Sequence, residues 1–219
     1  MIDDRRESPL QNSCEALEHA FAERCRTLGE DHLDALTAML ELADCLWARG
    51  RLIAARRLEE RVVEGRRRQL GERHAETLKA VGKLAVTLAA QGNLPEARLL
   101  QEEVVAGRRS LFGDTHIETL RAINNLAGTI ASQGDLAAAR GLLEGVIATT
   151  SHVFGEQHPD SLTAMSNLAA VLWQDGDRAE AHALQQQVTE MQGRLHGENS
   201  EAATAAAAVL AMMERDVEF

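Results

Sequence analysis

The sequence predicts an all-α protein, a solenoid of antiparallel helix pairs with about ten helices. Three observations lead there. First, a joint recurs: LGEDHLDAL from Leu28, LGERHAETL from Leu70, LFGDTHIETL from Leu111, VFGEQHPDSL from Val153, and a worn copy, LHGENSEAAT, from Leu195. Second, its glycines (Gly29, Gly71, Gly113, Gly155 and Gly197) stand 42 residues apart. Third, apolar residues recur at i, i+3, i+4 and i+7 twice between joints, the spacing of one buried helix face. A helix pair of this kind cannot bury its apolar faces alone, so successive copies must stack.

In chain order, residues 1–10 read as a tail, and 11–27 match only the second helix of a copy. Full repeats follow at 28–69, 70–111, 112–153 and 154–195; residues 196–215 match only a first helix, and 216–219 form a second tail. The copy at 112–153 shows each part. Its first helix runs from about His116 to Gln133 and buries Leu120, Ile123, Leu126, Ala127 and Ile130. Its second runs from about Leu136 to His152 and buries Ala139, Leu142, Leu143, Val146 and Ile147. Gly134 stops the first helix, as do Gly50, Gly92 and Gly176 in the other copies, because glycine has no Cβ to clash just past a helix end. Alanine recurs where paired helices should cross: Ala43, Ala85, Ala127 and Ala169 on first helices, Ala55, Ala97, Ala139 and Ala181 on second helices. Small residues there permit close approach of the two axes.

The bulk numbers exclude several classes of function. With 34 acidic against 23 basic residues the net charge is −11, which repels a phosphate backbone, so no nucleic-acid partner is expected. The three cysteines, Cys14, Cys25 and Cys45, are odd in number and not in a metal spacing; they read as free thiols of a reducing, cytoplasmic compartment. The opening MIDDRRESPL lacks the apolar core of a secretory signal, and the alanine-rich end is too short and charged to span a bilayer, so no membrane role is expected.

The histidines of the joint invite a metal or catalytic reading, but a capping role explains them better. Pro159 follows His158, and proline favours the first helical position, which makes His158 the N-cap. Asp160 then complements the helix dipole, as do Asp34, Glu76 and Glu118 in the other copies. The fifth copy replaces the histidine with Ser200, which keeps a cap and destroys a metal ligand. Equivalent atoms in stacked copies should also lie about 10 Å apart, too far to share one metal. No metal site and no cofactor are expected.

The helix pairs, the alanine crossings and the motifs NNLA (124–127), SNLA (166–169) and HPDSL (158–162) resemble tetratricopeptide repeats. The 42-residue period and its joint are similar to the kinesin-light-chain variety. The resemblance implies a right-handed superhelix whose first helices line a concave groove, and a protein-binding scaffold or adaptor rather than an enzyme. Similar arrays occur in bacterial signalling proteins. The chain carries no phosphate loop, nucleophile elbow, CxxC or HExxH, so no catalytic residue is nominated.

Once the buried faces are assigned, the groove register falls on Thr37, Glu41, Asp44 and Trp47; on Lys79, Lys83, Val86 and Ala90; on Arg121, Asn125, Gly128 and Ser132; and on Thr163, Asn167, Ala170 and Trp173. Lys79 and Lys83, the only lysines, lie one turn apart. Relatives that grip extended peptides place Lys, Arg and Asn at these positions. Ammonium and guanidinium groups pair with carboxylates, and asparagine amides can hold peptide backbone. The expected ligand is therefore an extended, acidic or carboxylate-bearing segment held by Lys79, Lys83, Arg121, Asn125, Thr163 and Asn167, with Trp47 and Trp173 as anchors. The lysines precede the asparagines, the reverse of chaperone-binding arrays, so a chaperone tail is not the expected ligand. The alternative is a self-assembly or regulatory module, as a homodimer or within a bacterial signalling system, docking through Val209, Leu210, Met212 and Met213 of the last helix. The arginines that end second helices (Arg66, Arg67, Arg68, Arg108 and Arg109) are expected to offset the helix terminus and face solvent.

Overall fold

The computed structural model describes residues 9–215; of the expected tails at 1–10 and 216–219, residues 1–8 and 216–219 lie outside the described residues, while residues 9 and 10 belong to the first helix. Among the described residues there are ten α-helices and no strand: α1 (Pro9–Leu28), α2 (Leu33–Ala48), α3 (Leu52–Leu70), α4 (Ala75–Ala90), α5 (Leu94–Phe112), α6 (Ile117–Ser132), α7 (Leu136–Phe154), α8 (Pro159–Asp175), α9 (Arg178–His196) and α10 (Glu201–Arg215). They fall into two compact units, one ending at Gly107 and the other beginning at Arg108, inside α5. Within the first unit α1 packs on α2, α2 on α3 and α3 on α4; within the second, α6 packs on α7, α7 on α8, α8 on α9 and α9 on α10.

The core follows the repeat. All eight crossing alanines are fully buried, at 0% exposure, as close packing of two helix axes requires. Above them Leu36, Leu78, Leu120 and Leu162 fill one recurring position and Val62, Val104, Val146 and Val188 another. On α7, Leu143 and Val146 are buried, whereas Leu142 and Ile147 are only half-buried at the edge of the core.

The joints are built as their residues suggest. The backbone N–H of Asp34, Glu76 and Glu118 donates to Nδ1 of His32, His74 and His116 at 3.2 Å, and that of Asp160 to His158 at 3.3 Å. In the fifth copy the Ala203 N–H donates to the Ser200 hydroxyl at 3.2 Å, so serine takes over the same task. Ahead of each cap stands a glycine with positive φ, for example Gly71 at 87° and Gly155 at 98°, a conformation that a Cβ would strain. Replacing His74 with Ala should cost about 1 kcal/mol in urea unfolding, and His74→Ser should recover most of it. Equal losses for both would refute the capping role.

Two expectations require correction. Cys14 and Cys45 form a disulfide between α1 and α2, with Cα atoms 5.8 Å apart; Cys25 alone is a free thiol. The two side chains meet where α1 lies on α2, an adjacency that sequence spacing does not show, and their pairing removes the thiol count as an argument for a reducing compartment. Arg66 and Arg108 do not face solvent. Arg66 is 3% exposed; its Nη1 donates to the Glu76 carbonyl at 2.9 Å and its Nη2 to the Thr37 hydroxyl at 3.2 Å. Arg108 likewise donates to the Glu118 carbonyl at 2.7 Å. Burial pulls both guanidinium groups below their ordinary value, opposed by Glu76 and Glu118 respectively. Arg67, Arg68 and Arg109 are more exposed and pair with Glu103, Asp31 and Asp114.

Candidate functional site

First helices bury one face and leave a polar one. On α2 and α4 of the first unit, Thr37, Glu41, Asp44, Trp47 and Lys79 are exposed, and Lys83 and Val86 half-exposed. On α6 and α8 of the second unit, Arg121, Asn125 and Thr163 are exposed, and Asn167 and Trp173 half-exposed. The register left after core assignment is thus the solvent-facing one on every first helix of a full repeat.

Most cations on these faces are already engaged. Lys83 Nζ lies 2.5 Å from Asp44 Oδ1, across from α4 to α2. Arg121 makes a fork with Asp160, Nε to Oδ1 at 2.8 Å and Nη2 to Oδ2 at 3.0 Å, and its Nη1 reaches Glu118 at 3.0 Å. These contacts push the Arg121 guanidinium further above its ordinary value, the Asp160 hydrogen bond most. Lys79 has no ion pair among the described residues. Thr37 is occupied by Arg66, and the Thr163 hydroxyl donates to the Pro159 carbonyl at 3.0 Å.

The second unit adds partners that sequence reasoning missed. Asn167 Nδ2 donates to Asn124 Oδ1 at 3.0 Å, joining α8 to α6, while Asn125 stays exposed. The Arg178 guanidinium sits 4.6 Å from the centroid of the Trp173 ring, so this tryptophan is capped from α9. Trp47 is 42% exposed. The signal for the missed contacts was arithmetic: with a 42-residue period, residues about 39 to 43 apart face one another on adjacent first helices, as Asp44 and Lys83, Arg121 and Asp160, and Asn124 and Asn167 do.

Behind the first unit's polar face lies a buried carboxyl. Glu59 of α3 is 2% exposed; Oε1 accepts the Thr87 hydroxyl at 2.9 Å and Oε2 has no hydrogen-bond partner. Burial raises its pKa; the Thr87 bond and Lys83 oppose this, and Asp44 and Glu60 add to it. A raised folded pKa means that the folded chain binds the proton more tightly than the unfolded one. Stability should be fully present below the unfolded carboxylate value of about 4.3 and fall as pH rises through the folded value. Glu59→Gln, the residue that stands at this register as Gln101 and Gln185, should flatten that dependence. Parallel unfolding-versus-pH curves for the two proteins would refute the assignment.

Among the described residues no group of His, Cys, Asp and Glu is placed to hold a metal, and no helix is long and apolar enough to cross a membrane. The expected docking residues of α10 divide: Met213 is buried at 5% and Leu210 half-buried, while Val209 and Met212 are exposed, Met212 at 60%.

Paired helices with alanine crossings, histidine-capped joints and open polar faces define a helical-repeat interaction module. Tetratricopeptide repeat models match residues 76–148, 118–194 and 35–76. Two solved structures of nearly identical TPR-like repeats from a Podosopora anserina protein classed with kinesin light chains are similar. The first, a form carrying a point substitution, is 31% identical with a TM-score of 0.71, covering 84% of this chain and 87% of that one. The second is 30% identical with a TM-score of 0.69, covering 85% and 89%. BtubC (BKLC) from P. vanneervenii shares the fold at a TM-score of 0.74 and 15% identity, covering 97% of this chain and 85% of that one. No curated protein sequence matches this chain. The chain belongs to the tetratricopeptide repeat family, in its kinesin-light-chain-like form. The repeats of that family are interaction modules, and this chain is accordingly a protein–protein interaction scaffold.

Proposed function

We propose that the polar faces of the first helices hold an extended, carboxylate-bearing segment of another protein. The observation that carries this reading is Lys79: an exposed cation with no ion pair among the described residues, one turn from the half-exposed Lys83. In the second unit Asn125 plays the corresponding part, offering an exposed amide donor and acceptor for peptide backbone. Trp47 supplies an exposed apolar anchor beside the cations of the first unit.

The test uses Lys79→Glu and Asn125→Ala, which leave the Asp44–Lys83 and Arg121–Asp160 pairs intact. A library of extended peptides is screened by fluorescence anisotropy, with helicity checked by circular dichroism. Selected acidic peptides should bind the double variant at least tenfold more weakly, about 1.4 kcal/mol. Peptides that bind both proteins equally, or a selection without acidic bias, would sink this reading. A second reading, self-association through α10, is favoured by the exposure of Val209 and Met212. Its check is sedimentation of wild type and Val209→Ser/Met212→Ser; a wild-type chain that stays monomeric at high concentration would end it.

A further inference from the structure

We propose that the Cys14–Cys45 disulfide is a redox-governed tether that holds α1 on α2. The case begins with how little else holds α1. From Cys14 onward its only fully buried side chain is Cys14 itself, at 1%, with Leu17 and Phe21 partly buried against Leu42, Leu46 and Ala55. By contrast α3, the next second helix, buries Ala55, Glu59, Val62, Val63, Gly65 and Arg66. The register positions of Leu58 and Val62 in α3 are Ala16 and Ala20 in α1, so the apolar grip is cut back there. The sulfur bridge lies in this thinly held helix and nowhere else among the described residues: the register of Cys45 is Thr87, Thr129 and Val171 in the later copies.

The chemistry at the bridge is directional. The Cα separation of 5.8 Å falls within the roughly 4.4–6.8 Å range of disulfides. Cys45 is half-buried and Cys14 fully buried, so an external dithiol reaches the Cys45 sulfur first. Its thiolate bonds to Cys45 Sγ, the protein S–S bond breaks, and Cys14 leaves as a thiolate that takes a proton from solvent. The second thiol of the reductant then attacks the mixed disulfide, frees Cys45 as a thiol and closes the reductant's own disulfide. Two electrons pass to the protein bridge and the dithiol is oxidised; the oxidised dithiol runs the reverse step. On the same helix, burial and then Glu30 raise the Cys25 thiol, with Arg61 opposing, which lowers its thiolate fraction. Once the bridge opens, α1 is free to leave, baring the Leu42 and Leu46 side of α2 next to Asp44 and Trp47. This inference stands apart from the peptide reading.

The test uses the whole chain, isolated without reductant. Denaturing alkylation with iodoacetamide should label one cysteine, Cys25; three labels would overturn the proposal. Hydrogen exchange of residues 14–28, read by mass spectrometry, is compared for the oxidised chain, the chain in dithiothreitol, and Cys45→Thr, which installs the residue of α4 and α6. Exchange in α1 should quicken at least tenfold in dithiothreitol and in the variant, with α6 to α8 unchanged. Unchanged exchange in α1 would overturn the tether, and equal quickening throughout the chain would overturn its local action.

Discussion

Leu162→Ala should lower the unfolding free energy by about 2–5 kcal/mol, the range for a buried leucine cut back in a close-packed core. Leu162 is 0% exposed in a cluster with Met165, Val188 and Ala206, edged by Ile147, Leu184 and Met191. The site is built on four helices, α7, α8, α9 and α10, so its walls cannot collapse into the gap without moving a helix. The same register holds Leu36, Leu78 and Leu120, each nearly inaccessible, but an exposed Thr204 in α10. Urea midpoints give the number, and Leu162→Met, which conserves volume, should cost less than about 1.5 kcal/mol. An alanine variant within about 1 kcal/mol of wild type would mean that the cluster repacks and that the repeat core is more plastic than its burial implies.

Arg66→Ala should cost about 2–3 kcal/mol, because it removes a side chain that is only 3% exposed together with its charge-assisted hydrogen bonds to the Glu76 carbonyl and the Thr37 hydroxyl. Arg66 joins the end of α3 to the first turn of α4 through the Glu76 carbonyl, and reaches back to Thr37 of α2. It also lies 3.2 Å from the Glu76 carboxylate, which is 48% exposed. Glu76→Gln should therefore cost less than about 1 kcal/mol, since half of that ion pair is solvated. A double-mutant cycle in urea separates the parts. If Glu76→Gln matched Arg66→Ala, the charge pair rather than the backbone contact would be the dominant link.

The features that repeat within one copy were open to reading from sequence: helix pairs, alanine crossings, glycine stops and histidine caps. His158 and Ser200 show why, since a cap is decided by residues within three positions of it. Features decided between copies were not read. Lys83 looks like a free cation along its own helix and Arg121 has only Glu118 there, yet each meets a carboxylate on the neighbouring first helix. Arg66 looks like an exposed cation at a helix end because the carbonyl that it serves belongs to the next helix. Cys14 and Cys45 look unrelated for the same reason: their meeting depends on how α1 lies on α2.

The Arg121–Asp160 fork sets a threshold for any ligand that would use this arginine. Asp160 is a tethered competitor: it occupies the Nε–Nη2 edge that an incoming carboxylate would need, Glu118 takes Nη1, and their local concentration is fixed by the fold rather than by the medium. A lone anion of ordinary strength gains nothing by exchanging one carboxylate for another. Occupancy comes only to a ligand that brings several contacts at once, so the face discriminates by valence before it discriminates by charge.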